Sequence, residues 1–476
     1  MGATVTIGVD IGTTSVKAVA ATDDGSVVAT TRIDHPVLTP EPNVLEHDAR
    51  LAWRDGVLAA AREVAAAAAA LGHRVAAVNV AAMVPSLCPV DADGVPTGPG
   101  LLYGDERAKG GGRGLDPSQD GELVRMLTWL AAAHPDAAGF WPAQAVGNAA
   151  LCGEGVIDSV TAMTTLPLFD FTGWDPAVCA GAGVRPDQLP AIRSGSEPAG
   201  VCGDGAGPAL AGAVVGGGTI DAFGEQLVAG ADGDGDVLVI LGATLIVWAC
   251  IPEWFEAPGL WTVPHTAPGK VLIGGPSNAG GILRNWAASV LLADPGDTGT
   301  GRTGGNRVDP DDVPVVLPYV RGERTPLHDR DRRGSFHGLS VAHGPAAMWR
   351  AVYEATGHSV RHHLDLAGLI DGVDRPRAAR IVATGGGSRN DAWVQAIADV
   401  TGLPVDCVAV AEGGALGSAY LARVAAGLEP DSTGAGRWAR TGRRVGPDPV
   451  WAAPCVGRYR RFVELTGPPF DPGAGG

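Results

Sequence analysis

The 476-residue chain is poor in paired cysteines, in lysine and in long apolar runs. Its seven cysteines (Cys88, Cys152, Cys179, Cys202, Cys250, Cys407, Cys455) stand singly, without a CxxC pair and with an odd total. That excludes a disulfide framework or a zinc ribbon and points to a reducing compartment. Lysine occurs only at Lys17, Lys109 and Lys270, and arginine supplies the other basic residues, a signature of a G+C-rich genome that carries little function. Acidic residues outnumber basic ones, 52 to 35, for a net charge of −17. Such a surface repels phosphate backbones and anionic lipid, so neither a nucleic-acid nor a membrane partner is expected. The longest alanine-rich stretch, 64–71, falls short of the roughly 20 apolar residues a membrane span needs and is expected to be a buried helix. No basic region followed by an apolar one precedes the first strand pattern, so no leader is expected and the location expected is cytoplasmic. What is present, 45% hydrophobic and 18% charged residues, is ordinary for a globular protein of two or three domains with a core that needs no staples.

Apolar segments at 5–11, 15–21 and 26–31, separated by Gly12-Thr13-Thr14 and Asp23-Asp24-Gly25, predict a β-hairpin and its continuation. Helical periodicity over 49–71 and a strand at 75–82 follow. Residues 109–120 are glycine-rich and polar and are expected to form a surface loop, 122–163 is helical and mixed, and 186–212 is expected to be extended or loop. After Asp232-Gly-Asp-Gly-Asp236 the opening design repeats: an apolar strand at 237–241, Gly242-Ala243-Thr244, and a return through 245–250. This suggests a duplicated α/β fold with a boundary near 222–236. The domains expected are 1–231, 232–430 and a loosely packed tail at 431–476.

Val9-Asp10-Ile11-Gly12-Thr13-Thr14-Ser15-Val16-Lys17 carries the most chemistry. A glycine at a hairpin tip lets backbone N–H groups approach a phosphate, Thr13 and Thr14 hydroxyls donate to its oxygens, and Asp10 suits Mg2+. A plain hairpin with Asp10 capping its turn is the rival, and the echo at Gly242-Ala243-Thr244 weighs against it. In the run ending Thr384-Gly385-Gly386-Gly387-Ser388-Arg389-Asn390, a strand enters a glycine turn before a helix. Three glycines clear space for a flat ligand such as adenine, whereas a tight strand-to-helix turn needs only one or two. Glu412-Gly413-Gly414-Ala415-Leu416-Gly417-Ser418-Ala419 opens another helix, with helix–helix packing as its plain explanation. Gly216-Gly217-Gly218-Thr219-Ile220-Asp221 sets one carboxylate past a glycine loop, as a general base or as a helix cap.

Other matches fail. Gly269-Lys270 is followed by Val271 and not by Ser or Thr, Val237 replaces the glycine of a calcium loop, and Ser359 stands where a zinc helix bearing His358 and His362 needs glutamate. No GxSxG elbow is present. Phosphoryl transfer without a Walker-type loop is what is left.

The chain resembles the FGGY carbohydrate kinases of the actin/hexokinase-like ATPase superfamily over roughly residues 5–425. The resemblance rests on the segment from Gly8 to Lys17, Val44-Leu45-Glu46-His47-Asp48, Asp158-Ser159, Leu168-Phe169-Asp170 and Trp174. It rests above all on Leu317-Pro318-Tyr319-Val320-Arg321-Gly322-Glu323-Arg324-Thr325-Pro326 with Arg333-Gly334 and Gly338-Leu339. It implies two ribonuclease-H-like domains closing over ATP and a sugar. It further implies that Asp10 binds Mg2+, that Gly12, Thr13, Thr14 and Lys17 hold phosphate with Gly242 and Thr244, and that Gly385, Gly386, Gly387, Asn390 and Glu412 flank adenosine. Asp221 would deprotonate the acceptor hydroxyl.

The acceptor end departs from the family. Met83-Val84-Pro85 stands where members carry Gln-Met-His or Arg-Glu, and Tyr103-Gly104-Asp105-Glu106-Arg107 keeps an aromatic-Asn-Asp-x-Arg pattern without its Asn. Met83, Val84, Tyr103, Asp105 and Arg107 are the acceptor-site candidates, with Asp105 and Arg107 either orienting hydroxyls or forming an ion pair. The expected substrate is a small sugar or polyol, foremost a ketopentose such as xylulose. The alternatives are a ribulokinase-like or other polyol kinase and a catalytically silent sugar and nucleotide sensor. A homodimer is the partner state entertained.

Overall fold

Alternation along one strand decides how the N-terminal part is built. The computed structural model describes residues 2–41, 44–105, 107, 121–193, 197–265, 269–291, 308–370, 376–410 and 412–470, so Glu106 and the loop expected at 109–120 lie outside it. In β1 (Thr4–Ile11) successive side chains face opposite ways. Val5, Ile7, Val9 and Ile11 enter a core with Val57, Ala60, Ala61, Val64 and Ala68 of the helix Gly56–Ala70. On the other face, Thr6 Oγ1 donates to Ala419 O (2.8 Å), and a Cβ at Gly8 would stand 1.8 Å from Ala415 O. The helix Gly413–Ala425 therefore lies against Thr6 and Gly8, and Asp10, the next residue on that face, comes up beside its first turn.

Around β1 the sheet adds β2 (Ser15–Ala21), β3 (Val27–Asp34), β4 (Arg74–Ala82), β5 (Pro198–Val201), β6 (Val214–Gly216) and β7 (Thr219–Ile220). Its order is β5-β6-β4-β1-β2-β3, with β7 on β4. The first three strands are antiparallel, and β4 runs parallel to β1 and β6 to β4. A smaller sheet joins Glu46–Asp48, Pro99–Leu102, Ser86–Val90 and Gly139–Trp141 in that order.

The same scheme recurs after residue 235. Strands β8 (Asp236–Leu241), β9 (Leu245–Ile251), β10 (Trp261–Pro264), β11 (Val271–Ser277), β12 (Arg380–Thr384), β13 (Val405–Val408) and β14 (Thr441–Val445) form a sheet ordered β10-β11-β9-β8-β12-β13-β14. Here β8, β9 and β11 are antiparallel neighbours, while β12 is parallel to β8 and β13 to β12. The two sheets thus share one strand plan, as the repeated sequence design suggested.

The two units are not consecutive in sequence. The first comprises residues 1–228 and 412–438, and the second 229–411 and 439–476. The helix Gly413–Ala425, expected in the C-terminal domain, belongs to the first unit because its glycines and alanines fit the groove over Gly8. The expectation of a loose tail also fails. β14 pairs with β13, and the helix Pro449–Thr466 buries Cys455, Tyr459 and Phe462 while Arg458 clamps Glu354 through 2.6 and 2.8 Å bonds. Glycine and proline counts hid an apolar face spaced by helical turns. Among the described residues no helix is long and apolar enough to cross a membrane.

Candidate functional site

Asp10 and Lys17 face each other across the β1–β2 hairpin, and Lys17 Nζ lies 3.6 Å from Asp10 Oδ2. Asp10 is 5% exposed, and its Oδ1 is buried without a hydrogen-bond partner among the described residues. Burial raises the Asp10 carboxyl above its ordinary range although Lys17 opposes the shift. Lys17 is in turn raised, first by Asp10 and further by Glu225 and Glu412, against the effect of burial. Glu412, expected beside adenosine, also adds its charge to the surroundings of Lys17. A Cβ at Gly414 would sit 3.2 Å from the Asp10 carboxyl, so a glycine there leaves this carboxylate its space.

The hairpin tip is held by side chains from the surrounding segments. Gly12 N–H turns inward to Ser15 O (3.0 Å), and Thr14 O accepts from His35 N–H (3.0 Å). Thr13 is fixed at both ends: its hydroxyl shares a 2.8 Å hydrogen bond with the Tyr103 hydroxyl, and His47 Nε2–H donates to its carbonyl (2.8 Å). Trp53 Nε1–H donates to His47 Nδ1 (2.9 Å), which assigns the proton on His47 to Nε2. The motif Glu46-His47-Asp48 was visible in sequence, but its task of bracing the tip was not.

Asp221 begins the helix Asp221–Ala229, directly after β7. Its Oδ1 accepts from the N–H of the adjacent Ala222 (2.7 Å), not from a position two or three residues on, where a helix cap would act. Burial, then the negative charge of Asp10, lift its carboxyl to about 7, with the Ala222 N–H and Lys17 opposing. The glycine loop before it is threaded between two amides. A Cβ at Gly216 would meet Asn79 Oδ1 at 2.3 Å, and one at Gly218 would meet Gln144 Nε2 at 1.8 Å. Asn79 Oδ1 accepts from Gly218 N–H (2.8 Å), while Gln144 and Asn148 donate to Gly217 O (3.3 and 3.1 Å). Sequence reasoning missed these three residues. The available signal was polar side chains set among apolar ones, Asn79 between Val75 and Ala82 of β4, and Gln144 and Asn148 four residues apart in the helix Ala143–Cys152.

The acceptor-site candidates prove mostly self-engaged. Asp105, 1% exposed, accepts from Leu45 N–H (2.9 Å) and Arg107 N–H (3.0 Å), and both its oxygens also meet the Arg107 guanidinium. Arg107 further donates to Glu46 Oε2 (2.6 Å) and lies over the Trp129 ring at 4.7 Å. Of the two readings of this pair, the structure shows the ion pair. Met83 is 2% exposed and packs in the main core, Val84 is half-buried, and Tyr103 directs its hydroxyl to Thr13.

In the second unit, Gly242 and Ala243 are exposed at the β8–β9 tip, and Gly242 N–H donates to Thr244 O (3.1 Å). At the end of β12 the three glycines differ. A Cβ at Gly385 (φ +81°) would stand 2.9 Å from Leu241 O, and one at Gly387 would stand 2.7 Å from Leu241 Cβ, so packing on β8 requires both. Gly386 is exposed, and its Cβ would meet nothing within 4 Å. Asn390 caps the helix Asp391–Thr401 by accepting from Trp393 N–H (2.9 Å) and donates to the Tyr353 hydroxyl (3.1 Å).

These features coincide with known proteins along almost the whole chain. Residues 5–135 match the N-terminal domain of the FGGY family of carbohydrate kinases, and residues 238–426 match its C-terminal domain. The chain is 26% identical over 465 residues to a gluconokinase of Bacillus subtilis (strain 168), covering 88% of this chain and 87% of that one. It is 27% identical over 459 residues to a xylulose kinase of Klebsiella pneumoniae, covering 90% and 91%. The crystal structure of a xylulose kinase from Rhodospirillum rubrum superposes with a TM-score of 0.74 at 26% identity, covering 97% of this chain and 98% of that one. The duplicated strand plan is accordingly that of the two-domain actin/hexokinase-like ATPases. Both domains of one family's pair are matched here in order, over 5–135 and 238–426, and the chain belongs to the FGGY family of carbohydrate kinases.

Proposed function

We propose that this sugar or polyol kinase transfers the γ-phosphoryl group of ATP to a hydroxyl of a neutral acceptor, foremost a ketopentose such as xylulose, with Asp221 as general base. The observation that carries the reading is the buried Asp221 at the start of its helix, near enough to Asp10 for that charge, after burial, to lift its carboxyl to about 7. Near neutral pH such a group is ionised enough to accept a proton and basic enough to keep it. The acceptor oxygen forms its bond to the γ-phosphorus as the bond to the leaving ADP oxygen breaks, and the hydroxyl proton passes to Asp221. The buried, unpartnered Asp10 Oδ1 fits a divalent cation, and Mg2+ there supplies charge neutralisation of the phosphates. Gly12, Thr13, Thr14 and Lys17, and in the other unit Gly242 and Thr244, are the residues proposed to hold phosphate. Gly385, Gly386, Gly387 and Asn390 are proposed for adenosine.

A neutral acceptor is preferred over gluconate because Arg107, the cation among the acceptor candidates, already holds Asp105 and Glu46. A coupled ADP-release assay over pentuloses, hexuloses, polyols, glycerol and gluconate tests this. Turnover should be fastest with a neutral ketose. A preference for gluconate would overturn the acceptor assignment, and a sugar-dependent rise in melting temperature without ADP release would replace the kinase by a sensor.

Two expected results follow from individual groups. Protonated Asp221 accepts no proton, and burial, the larger cause, holds its carboxyl above the ordinary carboxylate range, so kcat/KM should fall about tenfold per unit on the acid side, from a break above about 4. A pH–rate profile flat down to about pH 4, the ordinary carboxylate value, would remove Asp221 from the role. Gly386→Val fills only open space in the protein. It should leave the melting temperature unchanged while weakening ATP binding about tenfold or more and sparing the sugar, and calorimetry showing wild-type ATP affinity would count against the adenosine assignment.

A further inference from the structure

The segment 317–326, on which the family resemblance rests above all, has no task in the reaction above. Within it Glu323 is 4% exposed and accepts three hydrogen bonds, from Ser277 Oγ (2.8 Å), Asn278 N–H (2.8 Å) and Arg324 N–H (2.7 Å). Two residues on, the buried Thr325 donates to Pro276 O through its N–H (3.1 Å) and its hydroxyl (2.8 Å). Together they grip the end of β11 and the turn after it. From that turn Ala279 N–H donates to Ser277 Oγ (3.1 Å), and Ala279 O accepts from Thr356 Oγ1 (2.7 Å).

The turn leads straight into the helix Gly281–Val290, whose first two amides are not left to solvent. Gly281 N–H donates to Gly242 O (3.0 Å) and Ile282 N–H to Ala243 O (2.8 Å). A Cβ at Gly280 would lie 2.3 Å from the Thr244 carbonyl carbon, so the two backbones touch. In a planar trans peptide the C=O and the following N–H point in opposite directions. Carbonyls of Gly242 and Ala243 held toward the helix therefore direct the N–H groups of Ala243 and Thr244 away from it, outward at the hairpin tip.

We propose that Glu323 is a positioning residue for the second hairpin: by fixing residues 277–278 it sets the first turn of the helix 281–290, and that turn orients the Ala243 and Thr244 amides toward phosphate. The inference rests on the reading of this hairpin as a phosphate-holding loop. It also gives the signature a physical reason, since each rung of the ladder from 323 to 243 is a hydrogen bond made by a named residue.

The test measures ATP binding by calorimetry, and the acceptor KM, on the full chain carrying Glu323→Ala, Glu323→Gln or Ser277→Ala. Glu323→Ala strands three donors and should weaken ATP about tenfold with the acceptor KM within twofold. Glutamine keeps the shape, one oxygen for the two amides and an NH2 for Ser277 Oγ, so it should recover ATP binding to within about threefold. Ser277→Ala, which removes one rung without a buried cavity of any size, should weaken ATP about threefold and carries the test if the alanine at 323 does not fold. Wild-type ATP affinity in folded Ser277→Ala and Glu323→Ala, or equal rises in the ATP and acceptor constants, would overturn the positioning role. A wild-type chain that binds no ATP would instead overturn the phosphate-loop reading beneath it.

Discussion

Asp221→Asn should lower kcat by roughly 10²- to 10⁴-fold with the KM values little changed, because asparagine keeps the shape of the side chain and cannot take the proton. Its effect on stability runs the other way. Burial and Asp10 raise this carboxyl in the fold to about 7, above its unfolded value near ~4. A group raised in this way contributes stability that is fully present below the unfolded value and is lost as pH rises through about 7. The variant should therefore melt with the wild type near pH 4 and above it at pH 8. If Asp221 only started a helix, asparagine would serve as well and turnover would stay near normal. A loss smaller than about threefold would end the base assignment. Asp105, the other carboxylate the family comparison places near the sugar, is no substitute, since Leu45 and Arg107 already occupy its oxygens.

The second large effect is on stability. Gly417→Ala should unfold the first unit at a temperature roughly 6–12 °C lower, from a loss of about 3 kcal/mol or more. A Cβ at 417 would stand 1.9 Å from the Gly224 carbonyl oxygen, and one at Gly224 would stand 2.7 Å from Gly414 O. The helices Asp221–Ala229 and Gly413–Ala425 thus cross backbone to backbone, where no side-chain rotation relieves the clash. Separating them displaces Asp221 as well, so residual activity should fall further than the folded fraction does. Gly181→Ala is the matched control: that glycine ends a helix with nothing within 4 Å of its would-be Cβ, and the change should stay within about 0.5 kcal/mol. Equal melting of the two variants, read by calorimetry, would refute the crossing.

The parts of this protein governed by neighbours in sequence were legible. The hairpin of Asp10 and Lys17 follows from apolar runs broken by Gly12-Thr13-Thr14, and its repetition at Gly242-Ala243-Thr244 carries the duplicated sheet plan. Asp221 follows a glycine loop, which leaves a general base and a helix cap both open, and the family resemblance supplies the catalytic reading. What stayed hidden depends on partners far away in the chain. Nothing around Asp105 shows that its oxygens are filled, because one donor is the backbone of Leu45, sixty residues earlier. The helix 413–425 reads as C-terminal because its small residues fit against Gly8, Asp10 and Gly224, roughly two to four hundred residues before it. The C-terminal helix was judged by composition, and its buried Arg458–Glu354 pair offsets the desolvation of a charge that composition alone would place outside.

The return of residues 412–438 to the first unit has a consequence for biosynthesis. A chain emerging from the ribosome N-terminus first forms β1 to β7 early, yet the helix that covers Thr6, Gly8 and Asp10 appears only after residues 229–411 of the other unit have been made. The unit begun first is therefore left incomplete, and its uncovered sheet face must persist unsealed through nearly two hundred further codons. Ribosome stalling or premature termination anywhere between the two segments releases an N-terminal body without its lid, a natural client for chaperones. Full-length synthesis is thus a condition for closing the very surface from which Asp10 projects.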